Sequence, residues 1–259
     1  MPPIRYGARP TEAQRNREVE ATRAPIWSTA VTVVWETDPD VVRAVLPPPL
    51  EPSEPLARIR FAVVDMGTGI PVFGAGWFGV RARHGSKEGE YALFMPMTTE
   101  QATVGGRETF GEPKKIGRVA VEVNGNDVSA WFDRMGFPLA EVKGTLAEPI
   151  EVAPKDKVDF YFKCSPSPDG KGFDTEPALV HVARHEQTRD ARRIDGTLTL
   201  HDSPLDPIAD IPVNRIVSME FAQITTDQHG EVVERVPADS LLPFVHQRYD
   251  DLSVLGKKD

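Results

Sequence analysis

The segment GGRETFGEPKKIG, residues 105–117, is the most unusual stretch of the chain. Two adjacent lysines, Lys114 and Lys115, follow a proline between apolar runs. Adjacent ammonium groups repel each other and burial disfavours charge, so both effects lower a lysine pKa. A neutral amine attacks carbonyl carbon, whereas an ammonium does not. The segment therefore predicts a reactive lysine, and the alternative interpretation is a solvated turn, because lysine is usually exposed.

Glu112 stands two positions before Lys114, with Pro113 between them. Proline biases the preceding residue towards extended backbone, and residues two apart in an extended segment share a face. The side chains of Glu112 and Lys114 should therefore point the same way, which makes Glu112 a candidate acid/base. The alternative is a loop carboxylate paired with Lys115 or Arg118.

The overall composition is that of a globular protein. The chain has 259 residues, 40% of them hydrophobic and 27% charged, with a net charge of −9. No dense block of lysine and arginine is present, which argues against nucleic-acid and anionic-membrane partners. No window of about 18 apolar residues is present to span a membrane. The polar N-terminal segment lacks the apolar core of a secretory signal, so we expect a cytoplasmic protein.

Metal, redox and nucleotide chemistry have weak support in the sequence. Cys164 is the only cysteine, which excludes an intrachain disulfide, and we expect it to be a buried, inert strand residue. His181 and His185 share a face of a predicted strand but lack a clear third ligand, so surface or interface histidines are the favoured interpretation over a metal site. No dinucleotide or serine-hydrolase motif is present in its required context. We therefore predict neither metal nor cofactor.

Short β-rich segments dominate the chain. We expect residues 1–23 to be a charged extension and residues 24–259 to be a single domain. Strands are predicted at 30–35, 58–65, 72–80, 90–97, 119–123, 128–132, 157–163, 179–185 and 196–200, with a helix at 40–46 begun by Asp38 and Pro39, and a helical segment at 237–249. So many strands must protect their edges, and closure into a barrel or cone is one way. The predicted class is α+β, mainly antiparallel.

The 105–117 segment resembles the signature of the acetoacetate decarboxylase-like superfamily, in which a Gly-Arg-Glu triplet shortly precedes Pro-Lys-Lys. Three further stretches share the resemblance, namely VWETD at 34–38 with PPPL at 47–50, GEY at 89–91, and residues 198–218. The resemblance spans about residues 24–220. It implies a closed, cone-like barrel with a few peripheral helices. It also implies a homo-oligomer, in which the charged extension would suit a subunit contact.

The resemblance assigns roles within the same segment. Lys114 matches the imine-forming lysine, and Lys115 matches the neighbour that lowers its pKa. Gly106, Arg107 and Glu108 match the triplet. We interpret Arg107 and Glu108 mainly as a charged pair that fixes the loop. The alternative for Arg107 is to hold a substrate carboxylate.

Two polar groups that frame the substrate in the true decarboxylases are not evident in this chain. The position of the decarboxylase glutamate falls near Ala75, and that of the arginine falls near Ser28. We therefore identify the chain as a divergent member, with Ser28 and Ala75 as substrate-binding positions whose chemistry has changed.

The resemblance implies a lyase that forms a Schiff base on Lys114 with a small carbonyl compound. A β-oxo acid would then lose CO₂, whereas a pyruvate-like 2-oxo acid would lose a proton, add to an aldehyde and lose water. The two missing polar groups favour the second branch, an aldolase-dehydratase. An acetoacetate-type decarboxylase is the first alternative, and a non-catalytic small-molecule binder on the same fold is the second.

Overall fold

The computed structural model describes residues 4, 6, 7, 25–67 and 71–255. The extension predicted over residues 1–23 lies almost wholly outside them, so it stays a prediction, as does the single domain. The strands are β1 (Ser28–Glu36), β2 (Glu51–Val64), β3 (Phe73–His84), β4 (Lys87–Met97), β5 (Lys114–Ile116), β6 (Arg118–Asn124), β7 (Asp127–Arg134), β8 (Phe137–Pro149), β9 (Lys155–Lys163), β10 (Ala178–Leu200) and β11 (Arg215–Arg235). The helices are α1 (Pro39–Val45), α2 (Glu100–Phe110) and α3 (Ala238–Leu241), with 3₁₀ turns at Ile208–Asp210, Leu242–Gln247 and Leu252–Leu255.

Seven strands close into a barrel. They run in the order β11-β1-β2-β3-β4-β9-β10, and pairing of β10 with β11 completes the ring. These pairings are antiparallel except for β4 with β9, which pair in parallel at Glu90 and Tyr91. Strand β5 also pairs with β4 in parallel, further along at Met95–Met97. The predicted class, a mainly antiparallel closed barrel with few helices, is confirmed. None of the described helices combines the length and apolar character needed to cross a bilayer.

The main apolar core lies outside the barrel, under the three-stranded extension β6–β7–β8. The ring of Phe132 on β7 stands 4.9 Å from that of Phe61 and 5.8 Å from that of Phe94. Both partners come from barrel strands, and all three are buried. Burial of such rings contributes about 1.5–3 kcal/mol each, so this layer holds β6–β8 on the barrel.

The inner face of the barrel is partly charged. Arg58 and Arg60 alternate along β2 with Ile59 and Phe61, which belong to the outer core. Because alternate side chains of a strand point to opposite faces, the two arginines point into the barrel. The interior therefore combines ion pairs with small and apolar side chains.

Helix α1 follows its sequence signals, whereas α2 was not predicted. Asp38 caps α1 by accepting a hydrogen bond from the amide of Asp40 at 2.8 Å, as predicted. Helix α2 occupies residues 100–110, although Gly105 and Gly106 are poor helix formers. Thr99 caps its first turn by accepting a bond from Ala102. Tertiary packing therefore overrides propensity at this helix.

The strands that close the barrel are longer than the sequence pattern indicates. Strand β10 runs unbroken for 23 residues where two short strands were predicted, and β11 runs for 21 residues where none was predicted. Their partly exposed middle and outer portions lack the apolar alternation that predicts a strand. Pairing with each other holds them extended instead.

Candidate active site

Helix α2 and strand β5 place Lys114 inside the barrel. The helix ends at Gly111, whose φ of 83° suits glycine. A β-carbon there would lie 2.6 Å from backbone atoms of Phe162 and Lys163 on β9. The chain then enters β5, where Lys114 lies beside Met95 of β4. The glycine thus permits the close turn that presents the lysine.

Lys114 begins a chain of buried charges. Its Nζ lies 2.7 Å from Oε2 of Glu112, which is only 2% exposed. The other oxygen of Glu112 accepts a bond from Nη2 of Arg184 at 3.0 Å. The same nitrogen of Arg184 donates to the hydroxyl of Tyr161 at 3.0 Å, and its Nε donates to Asp159. Arg184 therefore fixes the carboxylate that faces the lysine.

The electrostatic balance keeps Glu112 ionised. Burial acts to raise the pKa of Glu112, but Lys114 and Arg184 together outweigh it and lower that pKa. Burial raises the pKa of Tyr161 well above its usual value, so its phenol stays neutral. A carboxylate in contact with a protonated lysine can accept a proton from it and return that proton later.

Gly106 of α2 packs directly against the Lys114–Glu112 pair. A β-carbon at Gly106 would lie 1.9 Å from Oε2 of Glu112 and 2.5 Å from Nζ of Lys114. A β-carbon at Gly105 would meet no heavy atom within 4 Å. The second glycine of the segment is therefore required by the site and the first is not.

Arg107 supports the main chain of the lysine. Its Nη1 donates to the carbonyl of Lys114 at 2.8 Å and to that of Arg248 at 3.4 Å. No hydrogen bond to Glu108 is found among the described residues, so the predicted loop-fixing pair is replaced by bonds to carbonyls. The alternative role for Arg107, holding a substrate carboxylate, stays a prediction.

Lys115 points away from Lys114, as alternation along a strand requires. Its buried Nζ lies 2.8 Å from Asp206 and 3.0 Å from Asp250. Arg134 contacts both carboxylates as well. Two acids therefore compensate the charge of Lys115, which gives it a structural role. Its predicted effect on the pKa of Lys114 stays a prediction.

Ser28 and Ala75 lie in the barrel wall. The hydroxyl of Ser28 donates to the carbonyl of Ile224 across the sheet at 3.1 Å. Ala75 packs against a buried apolar cluster that includes Met97 and Tyr161. Tyr161 of the same cluster contacts Arg184. The predicted substrate-binding role of both positions stays a prediction.

Arg184, Tyr161 and Asp159 were missed by sequence reasoning. Their only signal is a polar group in an apolar alternation, such as Arg184 after Val180 and Val182 on β10. The contact of Arg184 with Glu112, the partner of Lys114, depends on barrel closure, which local patterns do not encode.

The histidines and the cysteine stand apart from this site. Nε2 of His181 lies 3.1 Å from Nδ1 of His84, and Nδ1 of His185 lies 2.8 Å from Asp156. Within the part of the chain that the structure describes, no group of three or more potential ligands is arranged for a metal. Cys164 is buried and free, and burial raises its pKa, so its thiol is protonated.

A cavity of about 1030 Å³ lies on the inner side of the barrel. Its lining includes Arg184 but neither Lys114 nor Glu112. Because Arg184 contacts Glu112, this arginine stands between the cavity and the lysine.

Two bacterial acetoacetate decarboxylases resemble the chain over most of its length. It is 28% identical over 197 residues to acetoacetate decarboxylase of Chromobacterium violaceum, which covers 72% of this chain and 77% of that protein. It is 28% identical over 220 residues to the enzyme of the same name from Burkholderia vietnamiensis, covering 78% and 85%.

Solved structures share the fold. The acetoacetate decarboxylase of Legionella pneumophila superposes with a TM-score of 0.72 at 24% identity, over 82% of this chain and 88% of that one. The enduracididine biosynthesis enzyme MppR, in complex with pyruvate, gives 0.69 at 18% identity, over 82% and 92%. A model of the acetoacetate decarboxylase family matches residues 8–236, so the chain belongs to that family and is a decarboxylase-like enzyme of the lyase class.

Proposed function

We propose that the chain is a Schiff-base lyase in which Lys114 forms an imine with a small carbonyl substrate. One observation carries this proposal, the 2.7 Å contact between Nζ of Lys114 and the buried carboxylate of Glu112. Glu112 takes a proton from the ammonium, and the neutral amine adds to the carbonyl carbon. The resulting hydroxyl leaves as water with the proton that Glu112 returns. The products are the iminium and one water molecule.

The iminium then acts as an electron sink. Once Lys114 is covalently bound, Glu112 remains beside the new carbon–nitrogen bond, held by Arg184. In this scheme the carboxylate removes a proton from the carbon next to the iminium, which gives an enamine. General acid/base catalysis of this kind contributes about 10²–10⁴-fold to a rate. Arg184 acts as a positioning residue in this scheme.

We favour pyruvate-like 2-oxo acids as substrates, with addition of the enamine to an aldehyde and loss of water. The apolar wall at Ala75 and the internally bonded hydroxyl of Ser28 leave these positions without the charges of the decarboxylases. MppR has been solved with the condensation product of pyruvate and imidazole 4-carboxaldehyde, and its fold is that of this chain. Both observations support the condensation branch.

Decarboxylation of an acetoacetate-type β-oxo acid is the second candidate. The named relatives are acetoacetate decarboxylases, and the iminium of a β-oxo acid can lose CO₂ without an added acid or base. A non-catalytic binder of small molecules is the third. The homo-oligomer and the cytoplasmic location stay predictions.

Product analysis separates these candidates. The protein is incubated with pyruvate plus an aromatic aldehyde, and separately with acetoacetate, and the products are followed by mass spectrometry and CO₂ release. We expect a dehydrated condensation product that is lost in Lys114→Arg, and weak turnover of acetoacetate. Efficient, Lys114-dependent CO₂ release would favour the decarboxylase. No conversion of either substrate would favour the binder.

A further inference from the structure

A second lysine, Lys157 of β9, faces the inside of the barrel. It lines the 1030 Å³ cavity together with Arg58, Arg60 and Glu186. Its side chain is 21% exposed, so it is largely buried while remaining accessible from the cavity. Nothing in the proposed reaction at Lys114 uses this residue.

At this position the carboxylate of Glu186 forms ion pairs with two cations. Nζ of Lys157 lies 2.9 Å from Oε1 of Glu186, while Nη1 of Arg60 lies 2.6 Å from Oε2. Glu90, the next carboxylate, is bound by Arg58 at 2.6 Å. Glu186 and Glu90 are therefore each already matched by a guanidinium, and a proton on Lys157 adds a positive charge that these two carboxylates do not balance.

The surroundings of the Lys157 amine also favour its neutral form. Burial, followed by the charges of Arg60 and Arg58, lowers the pKa of Lys157 to about 7, although Glu186 opposes this. Further charged groups in the wall of the cavity come from β3, β4, the segment before β9, and β9, β10 and β11, namely Arg81, Lys87, Glu88, Glu151, Lys155, Asp156, Arg184, His185, Glu220, Asp227 and His229. Far more of the Lys157 amine is therefore neutral near pH 7 than is the case for an ordinary lysine, which is almost wholly protonated there.

We propose that Lys157 is a second imine-forming amine, which takes small carbonyl compounds that enter the cavity. The neutral Nζ adds to the carbonyl carbon, the amine proton moves to the oxygen, and water leaves to give the imine. The barrel would then hold two covalent sites, Lys114 against Glu112 and Lys157 against Glu186.

Reductive trapping in a variant without the first site tests this proposal. Lys114→Arg is treated with pyruvate and cyanoborohydride at pH 7, and adducts are mapped by peptide mass spectrometry. The internal control is Lys155, an exposed lysine two positions earlier on β9. Because lower basicity also weakens a nucleophile, we expect a ~10–100-fold excess of adduct on Lys157 rather than the full ratio of neutral amines.

Two further arms complete the experiment. The pH dependence of trapping at Lys157 should have its midpoint near 7, and Lys157→Arg should abolish the adduct while keeping the charge. Equal labelling of Lys155 and Lys157, or none on Lys157, would overturn the proposal. If Lys114→Arg does not fold, the same trapping is carried out on the wild type, because mass spectrometry resolves the peptides that carry Lys114 and Lys157. An adduct on Lys157 without one on Lys114 would leave this inference standing while removing the proposed function.

Discussion

At Gly106, helix α2 approaches the Lys114–Glu112 pair so closely that one methyl group would collide with both side chains. We expect Gly106→Ala to displace the pair and to lower kcat/KM by at least ~10-fold, since misplacement of about 1 Å can cost more than that. Gly105→Ala is the matched control. It meets open space, so it should keep activity and stabilise the helix by up to ~1 kcal/mol. Equal activity of both variants would contradict the geometry.

Glu112 is the residue on which proton transfer depends in the proposed scheme. Glu112→Gln should lose about 10²–10⁴-fold in turnover. Imine formation on Lys114 should still be detectable by borohydride trapping. Glu108→Gln changes an exposed glutamate of the same segment and should be neutral. Near-normal turnover of Glu112→Gln, with only a modest loss of thermal stability, would show that the carboxylate is structural.

Within the decisive segment, the sequence predicted some relations and not others. The shared face of Glu112 and Lys114 follows from Pro113 and strand alternation, and the structure places the two side chains in contact. The need for Gly106 could not be predicted, because it arises where α2 folds back over the pair. Arg184 lies 72 residues from Glu112 in the chain, and only barrel closure brings them together.

At the scale of the elements, one buried ion network ties β5 and β7 to segments later in the chain. Lys115 of β5 and Arg134 of β7 share the carboxylates of Asp206 and Asp250. Removing one partner from such a network leaves a buried charge uncompensated, which typically costs about 3–5 kcal/mol. We expect Asp206→Asn to lose that much free energy of unfolding in urea.

One matched control belongs to this prediction. Asp210→Asn changes an exposed acid nearby and should cost little. A loss below ~1 kcal/mol in Asp206→Asn would contradict the structural role of the network.

If Lys115 instead acts on Lys114 through its charge, Lys115→Gln should move the pH–rate profile to higher pH, while Lys115→Arg preserves it.

Local signals explain which elements the sequence predicted. The β-branched run of β1 and the cap of α1 are short-range features, and both elements form as expected. Helix α2 was missed because two glycines weaken its propensity. Strand β11 was missed because its distal half, residues 225–235, has no buried side chain and therefore no apolar alternation.

At the scale of the whole molecule, the barrel encloses ionised carboxylates that must shed their charge in acid. The pKa values of Glu90, Glu112 and Glu186 are all lowered, because neighbouring cations outweigh the effect of burial. Such groups bind fewer protons folded than unfolded, so their contribution is complete above the ordinary value near 4.5 and is lost as pH falls below it.

The corresponding measurement is urea unfolding between pH 3 and pH 7. We expect the free energy of unfolding to fall steeply below about pH 4.5. Glu186→Gln should flatten that slope, because the variant no longer takes up that proton on unfolding. A wild-type stability that is flat, or that rises towards acid, would contradict the buried charge network.

The central claim is that Lys114 is the amine that captures the carbonyl substrate. The protein is incubated with pyruvate or acetoacetate, reduced with borohydride, digested and mapped by peptide mass spectrometry, with Lys114→Arg as the control. We expect a reduced adduct on Lys114 that requires the substrate and is absent from the variant. An adduct confined to Lys115 or Lys157, or no adduct with either oxo acid, would contradict the claim.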